Sequence, residues 1–493
     1  MDFNSLAFLG FFCGVAVLTY CFPRRAKPYF LLLASYTFYL YKPENARMVG
    51  LLVSATVITY GCGLALDYLK GKWARLLCLW ASLLFCGGIL FYFKYFNFFT
   101  QAWHDLVALF GGTVKVSELN LIAPLGLSYF TFQSLGYVID VYLHRIKPVR
   151  NPAKYALFVS FFPCIFTGPI ERAEHLIPQF DHPHKFNYAR MSGGAFRMLW
   201  GYFKKMVLAD TIAAFVSTVY ASPEKSLGPY LIIASLLFSY QIYLDFSGCC
   251  DIAIGGARVL GFDLLENFNR PFAARTYTEL WNRWHISLTS WFRDYIFTPL
   301  SFFNRGLPGF WGKLQGWFNV FIIFPISGLW HGPSWNYVIW GAFNGLFLVF
   351  GKATAKKRRR RNKKNPLYKS DRLKGFIQRT CVYLLFTFCI VFFAAALNGT
   401  SALTVFSGMF SGWAGFTLPG FVQGLASRSL PLSTLGLLLL GCTFVELVEW
   451  RGPVYKWIRR QCFVVRWVVY YVLSMAILFF GVFGKSMFIY QQY

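Results

Sequence analysis

An imidazole set among apolar and uncharged residues is the first place to look for chemistry in this chain. His331 lies in FIIFPISGLWHGPSWNYVIWGAFNGLFLVF, and from Leu314 to Gly351 it is the only residue with a histidine, acidic or basic side chain. An ionisable group at membrane depth is functional by default. Trp330, Trp335 and Trp340 would wall a pocket around it, and Pro333 just after Gly332 predicts a helix break that places His331 at an element end. A second run, ELWNRWHISLTSWFRDYIFTPL, repeats Trp281, Trp284, His285, Leu288, Trp291, Phe292 and Tyr295 at helical spacing, which predicts one aromatic stripe carrying His285. Its flanking Glu279, Arg283, Arg293 and Asp294 predict buried or interfacial ion pairs. A third, SYQIYLDFSGCCDIAIGGARVLGFDLLENFNRPF, sets Asp245 and Asp251 into an apolar helix. Asp245 needs a partner there: an imidazole to orient, an arginine, or a polar contact between helices.

A neutral imidazole with a pKa near 6.5 takes a proton from a hydroxyl in the transition state, a role worth about 10² to 10⁴ in rate. That fits acyl transfer to an alcohol. Each histidine also has a plainer reading as a hydrogen-bonded core residue. His104, His144, His175, His182 and His184 fall in polar stretches, which leaves His285 and His331 for deep chemistry. No G-x-S-x-G elbow, P-loop or dinucleotide glycine pattern is present, so hydrolase-triad, nucleotidase and dehydrogenase chemistry lack support. The cysteines sit mostly in apolar runs, and Cys249 with Cys250 makes no metal site alone, so neither disulfides, nor a metal, nor a bound cofactor is expected.

The elements that hold these residues must lie in a membrane. Of 493 residues 56% are hydrophobic, 20% aromatic and only 14% charged, with mean hydropathy +0.47; soluble domains average about 25% charged. Runs long enough to cross a core of about 30 Å recur throughout, predicting an all-α polytopic protein and a single embedded domain over 1–493. The net charge of +28 marks cytoplasmic loops rather than nucleic-acid binding. Arg24, Arg25 and Lys27, then Lys70, Lys72 and Arg75, then His144 to Lys154 follow successive odd-numbered segments. The densest cluster, 351–375, holds twelve basic residues and one acid, Asp371. We expect 352–374 to be a cytoplasmic basic loop, followed by helices over 375–493 and an extracytoplasmic C-terminus. Between about 120 and 350 the segments vary in length and carry Pro, Gly, Arg and Asp, so several should be re-entrant. Irregular backbone at that depth is tolerated only around protein or a water-lined cavity. The catalytic core is therefore expected there.

The runs ELWNRWHISLTSWFRDYIF, YLDFSGCCDIAIG, ENFNRPF and SGLWHGPSWNYVIWGAFNG resemble the membrane-bound O-acyltransferase family, in particular its bacterial branch serving alginate O-acetylation and D-alanyl transfer to teichoic acid. The likeness runs from PLGLSYFTFQSLGYVIDVY through FFPCIFTGPIER to the end; the chain closes on MFIYQQY where relatives often end in an aromatic run like FIYFQF. It implies a ring of about 11 to 13 transmembrane helices with re-entrant segments around a central funnel. It implies His331 as the catalytic residue, base or acyl relay, and His285 as a second histidine on the acyl path. Asn282, Trp284, Trp330 and Asp245 would form the acyl or substrate pocket, Asp245 as an orienting acid. The expected donor is cytosolic acetyl-CoA as co-substrate. The acceptor would be an exported polysaccharide, reached through an extracytoplasmic SGNH-type acetyltransferase, with the protein in a bacterial inner membrane. The rival readings are a D-alanyl transferase and a lipid-linked glycan transporter, though the halves show no internal repeat.

Overall fold

The computed structural model describes residues 1–113, 119, 121, 124–183, 185–303, 309–364, 370–414 and 416–483. His184 and the closing MFIYQQY lie outside the described residues, as does the 365–369 portion of the basic run. Among the described residues the chain is helical, with no strand. Among the described residues seven helices are long and apolar enough to cross a membrane: Pro43–Tyr68, Lys72–Leu109, Gly228–Val259, Trp335–Arg358, Asp371–Leu397, Leu432–Trp450 and Phe463–Phe480. This is a multi-pass membrane fold. Further crossings would have to come from shorter or more polar helices such as Leu6–Cys21 and Gly309–His331.

The chain forms two compact units, one of Met1–Met198 with Ile252–Leu265, the other of Leu199–Asp251 with the chain from Glu266 onward. In the first, prolines start helices where the missing N–H costs nothing, at Lys27–Leu40, Pro43–Tyr68 and Pro152–Ser160. Asn151 caps the last of these, its Oδ1 accepting from the backbone of Ala153 at 3.0 Å and Lys154 at 3.2 Å. That helix stops at Ser160, and FFPCIFTGPIER runs on as buried non-helical chain, the break expected from Pro163 and Gly168-Pro169. Hydrogen bonds from within the unit hold its polar end. Buried Glu171 accepts from the Leu265 backbone at 2.6 Å and from His175 Nδ1 at 2.8 Å, while Gln179 exchanges hydrogen bonds with Asp263 at 2.8 and 2.9 Å.

The second unit is organised by a helical hairpin. Gly309–His331, here the His331 helix, packs against Trp335–Lys364, the basic helix. The turn falls at Gly332–Pro333, as the sequence predicts. Small residues let the backbones approach: a Cβ on Gly328 would meet Tyr337 O at 2.1 Å, and one on Gly341 would meet Phe324 O at 2.1 Å. Trp335 points away, 58% exposed, and so does not wall a pocket as expected. The basic run is not a loop over most of its length. Helix continues to Lys364, because Lys and Arg are good helix formers and nothing before Pro366 breaks it. The next helix starts at Asp371 under a Ser370 cap, and Arg275 grips Asp371 at 2.9 and 3.1 Å.

Candidate active site

The aromatic stripe over 281–295 is not one helix. Tyr277–Trp281 ends, His285 takes a left-handed backbone (φ 43°, ψ 53°), Ile286–Phe292 restarts the helix, and Arg293–Phe297 is a π-turn. Helical spacing did not reveal this break, because it is imposed by residues distant in sequence. Asn269 N donates to Arg283 O at 2.9 Å and Ile286 N donates to Asn267 O at 2.9 Å, so ENFNRPF clamps both sides of the histidine. Arg283 pairs with Glu279 at 2.7 Å, half-buried, and Arg293 with Asp294 at 2.9 Å near the surface; the charges pair, but neither pair is buried.

Asn267 is fully buried and does more than hold backbone. Its Oδ1 accepts from Ser287 N at 3.1 Å and from Ser287 Oγ at 2.9 Å, and lies 3.2 Å from His285 Nδ1. A backbone N–H only donates, so the atom facing Ser287 is the amide oxygen. An amide oxygen only accepts, so Nδ1 of a neutral His285 carries the hydrogen. The lone pair is thereby left on Nε2. The Asn267 amide nitrogen is satisfied in turn by Cys250 Sγ at 3.3 Å. Phe246 covers one side of the ring, centroids 4.6 Å apart.

His331 ends its helix at 3% exposure, its ring boxed edge-on by Trp330 at 4.9 Å, Trp340 at 5.2 Å and Phe393 at 5.3 Å. Trp330 also approaches His285, at 6.0 Å, so one indole lies against both imidazoles. Both histidines line a single cavity of about 210 Å³ together with Asn282, Trp284, Trp281, Thr289 and Ser327. The room is mostly apolar, with two imidazoles, a few small polar groups, Arg293 and Lys352 on its wall.

Of the predicted site residues, the structure therefore brings His331, His285, Asn282 and Trp284 onto one cavity, with Trp330 against both rings. Asp245 is elsewhere. It does not line this cavity but is ion-paired with Lys205, which also binds Asp210 at 2.8 Å. This lysine contact joins two helical segments, the polar contact between helices that was one of the expected readings. Lys205 reaches it from a π-turn, Phe203–Ala209, whose wider winding turns consecutive lysines inward. Lys204 pairs with Asp251 at 2.6 Å and with Glu449 at 3.1 Å, and Tyr243 donates to Glu449 at 2.6 Å. Sequence reasoning missed both lysines, and it assigned Asn267 no role. Asn267 stands between Glu266 and Phe268 in a polar stretch ahead of Pro271, so nothing local marked it, and its partners lie about twenty residues away.

A profile of the membrane-bound O-acyltransferase family matches residues 149–395, the stretch that holds Asn267, His285 and His331. The chain is 34% identical to a probable alginate O-acetylase AlgI of Azotobacter vinelandii, covering 72% of this chain and 69% of that one. It is 32% identical to a peptidoglycan O-acetyltransferase of Helicobacter pylori, over 71% and 68% of the two chains. A teichoic acid D-alanyltransferase of Bacillus subtilis is 29% identical over 47% and 59%. A match across half the chain, and a relative this similar over more than two thirds of both lengths, place the protein in the membrane-bound O-acyltransferase family.

Proposed function

We propose that the protein moves an acetyl group from acetyl-CoA, delivered on the cytosolic side of a bacterial inner membrane, toward a hydroxyl of an exported polysaccharide. The observation that carries this reading is the shared cavity: two buried imidazoles, one with its tautomer set by Asn267, on a wall otherwise mostly apolar. His331 removes the proton from the acceptor hydroxyl as its oxygen attacks the thioester carbonyl. The tetrahedral intermediate then expels the thiolate, which takes the proton back from His331. His285, through the Nε2 lone pair, orients the acceptor or the carbonyl's surroundings, while Asn282 and Trp284 confine the acyl group. An engineered cavity of about 150 Å³ takes a benzene-sized guest, so 210 Å³ suits a short acyl group and its thioester.

Two relatives named as O-acetylating a glycan favour acetyl over D-alanyl transfer, for which the matching relative aligns with less of this chain. The final acceptor step would use an extracytoplasmic SGNH-type partner. The test is NMR of the exported polysaccharide from a deletion strain complemented with wild type or His331→Ala. Restoration of O-acetyl signals by wild type only, with both proteins inserted at equal level, supports the reading; restoration by both excludes His331 as the base.

A further inference from the structure

Away from the histidine cavity, two arginines from separate elements converge on one indole. Arg270 lies in the ENFNRPF loop with a left-handed backbone (φ 49°), and its guanidinium carbon is 4.2 Å from the centre of the Trp450 ring. Arg379, on Asp371–Leu397, approaches the same ring at 5.7 Å. Among the described residues neither guanidinium makes a hydrogen bond or an ion pair, and the Nε of each is buried without a partner. Nearby acids leave them so. Both oxygens of Glu449 are engaged, one by Lys204 at 3.1 Å and the other by Tyr243 at 2.6 Å. Glu446 is close enough to act on both arginines, yet it ion-pairs with neither, and one carboxylate offsets one positive charge at most. None of Arg270, Arg379 and Trp450 lines the cavity.

The indole stands where a lipid headgroup would lie. Trp450 ends Leu432–Trp450 at 60% exposure, and Arg451, Lys456, Arg459 and Arg460 follow it. Aromatic rings so placed sit at headgroup depth. Behind it Leu440, Thr443 and Leu447 recur at three- and four-residue steps, all exposed. From Leu440 to Trp450 this stripe runs about 15 Å, half of a hydrocarbon core of about 30 Å. A largely apolar stripe one leaflet deep, ending in two unpaired guanidiniums, matches a phospholipid in shape and charge.

We propose that Arg270, Arg379 and Trp450 form a site for the phosphate of an anionic phospholipid, and that the bound headgroup braces the loop that clamps His285. A guanidinium meets phosphate oxygens in a fork, and two guanidiniums can divide those oxygens between them. The basic residues after Trp450 favour a lipid of net negative charge over a zwitterionic one, and a soluble phosphate would make no use of the stripe. The brace follows from the chain: Arg270 adjoins Asn269 and lies three residues from Asn267, whose backbones bond Arg283 and Ile286 on either side of the histidine.

The test is native mass spectrometry of the full-length protein in detergent, titrated with phosphatidylglycerol or phosphatidylcholine. It compares wild type with Arg270→Gln/Arg379→Gln and with Arg459→Gln/Arg460→Gln, each checked for folding by circular dichroism. Wild type should bind its first phosphatidylglycerol roughly tenfold or more tighter than phosphatidylcholine. Arg270→Gln/Arg379→Gln should erase that preference and Arg459→Gln/Arg460→Gln should keep it; should the first variant not fold, Arg379→Gln alone should reduce it. Equal binding of the two lipids by wild type, or an undiminished preference in a folded Arg379→Gln protein, overturns the site. A preference lost in Arg459→Gln/Arg460→Gln would assign it to diffuse surface charge and overturn the site as well. So would displacement of the lipid by equimolar glycerol phosphate or CoA, which would identify a soluble anion. Hydrogen exchange reads the brace: bound phosphatidylglycerol should slow amide exchange over 266–270 in wild type and not in Arg270→Gln/Arg379→Gln, and unchanged exchange in wild type overturns it.

Discussion

Replacing Asn267 by leucine removes an acceptor shared by three donors, Ser287 N, Ser287 Oγ and His285 Nδ1, while nearly conserving volume. Leaving a buried donor without its partner costs about 1–3 kcal/mol. The two Ser287 groups report on stability, and the His285 bond reports on the ring. If only that bond acts through catalysis, kcat should fall roughly 5- to 150-fold, the same 1–3 kcal/mol expressed as a rate. The variant that separates orientation from folding is Asn267→Asp, whose carboxylate accepts the same hydrogens. Its negative charge favours the imidazolium, so the acidic limb of the pH–rate profile should move upward in pH. Cys250 also faces this group, and its Sγ loses the amide donor in either variant, so that loss is common to the two. The assay is the initial rate of acetyl transfer from acetyl-CoA in reconstituted membranes, across pH. Should Asn267→Leu retain wild-type kcat, or Asn267→Asp retain the wild-type profile, in protein of unchanged melting temperature, the tautomer argument is wrong.

Three further outcomes are expected. Asp245→Leu, which strips a buried partner from Lys205, should destabilise the fold by about 3–5 kcal/mol, read as a lower melting temperature in detergent. Protein that remains folded should keep its affinity for donor; a selective loss of donor binding would restore Asp245 to the site. Gly341→Ala places a methyl 2.1 Å from Phe324 O in the hairpin and should cost about 1–3 kcal/mol by overpacking. An unshifted melting temperature would show that the hairpin is looser than described. At His175 the hydrogen bond to Glu171 raises the imidazole above its ordinary 6.5, while burial pushes the Glu171 carboxyl up. A raised histidine contributes stability that is complete below 6.5 and fades as pH rises through the folded value. Wild type should therefore lose melting temperature above neutrality more steeply than His175→Gln, and parallel curves would remove the pair as a source of pH dependence.

Much of the site was legible because a membrane enforces strong local rules. An ionisable residue in an apolar run stands out against its neighbours, which singled out His331, and Gly332-Pro333 announced the break that puts it at a helix end. Glu279 with Arg283 was readable as a pair at i, i+4. Other features required knowledge of what meets what in space. The left-handed backbone at His285 is set by hydrogen bonds from Asn267 and Asn269, so periodicity carried straight through it as if helix continued. Asp245 was visible as an acid in need of a partner. Its partner was not visible, because Lys205 faces inward only where the backbone winds as a π-turn.

Those failures share a physical cause that bears on how the candidate site is built. His285 and His331 lie far apart in sequence, so no single run of helix supplies both imidazoles to one small room. Here one ring comes from the last residue of a long helix. The other comes from a residue strained out of helical geometry and clamped by a distant loop. Left-handed backbone at a non-glycine residue costs about 1–2 kcal/mol, and it persists because Asn267 and Asn269 over-determine it. Preorganised groups need no rearrangement at the moment of reaction, when reorganisation would raise the barrier. The irregularity at His285 is thus best understood as the means by which the fold brings a second imidazole, with a defined lone pair, to the cavity that His331 closes.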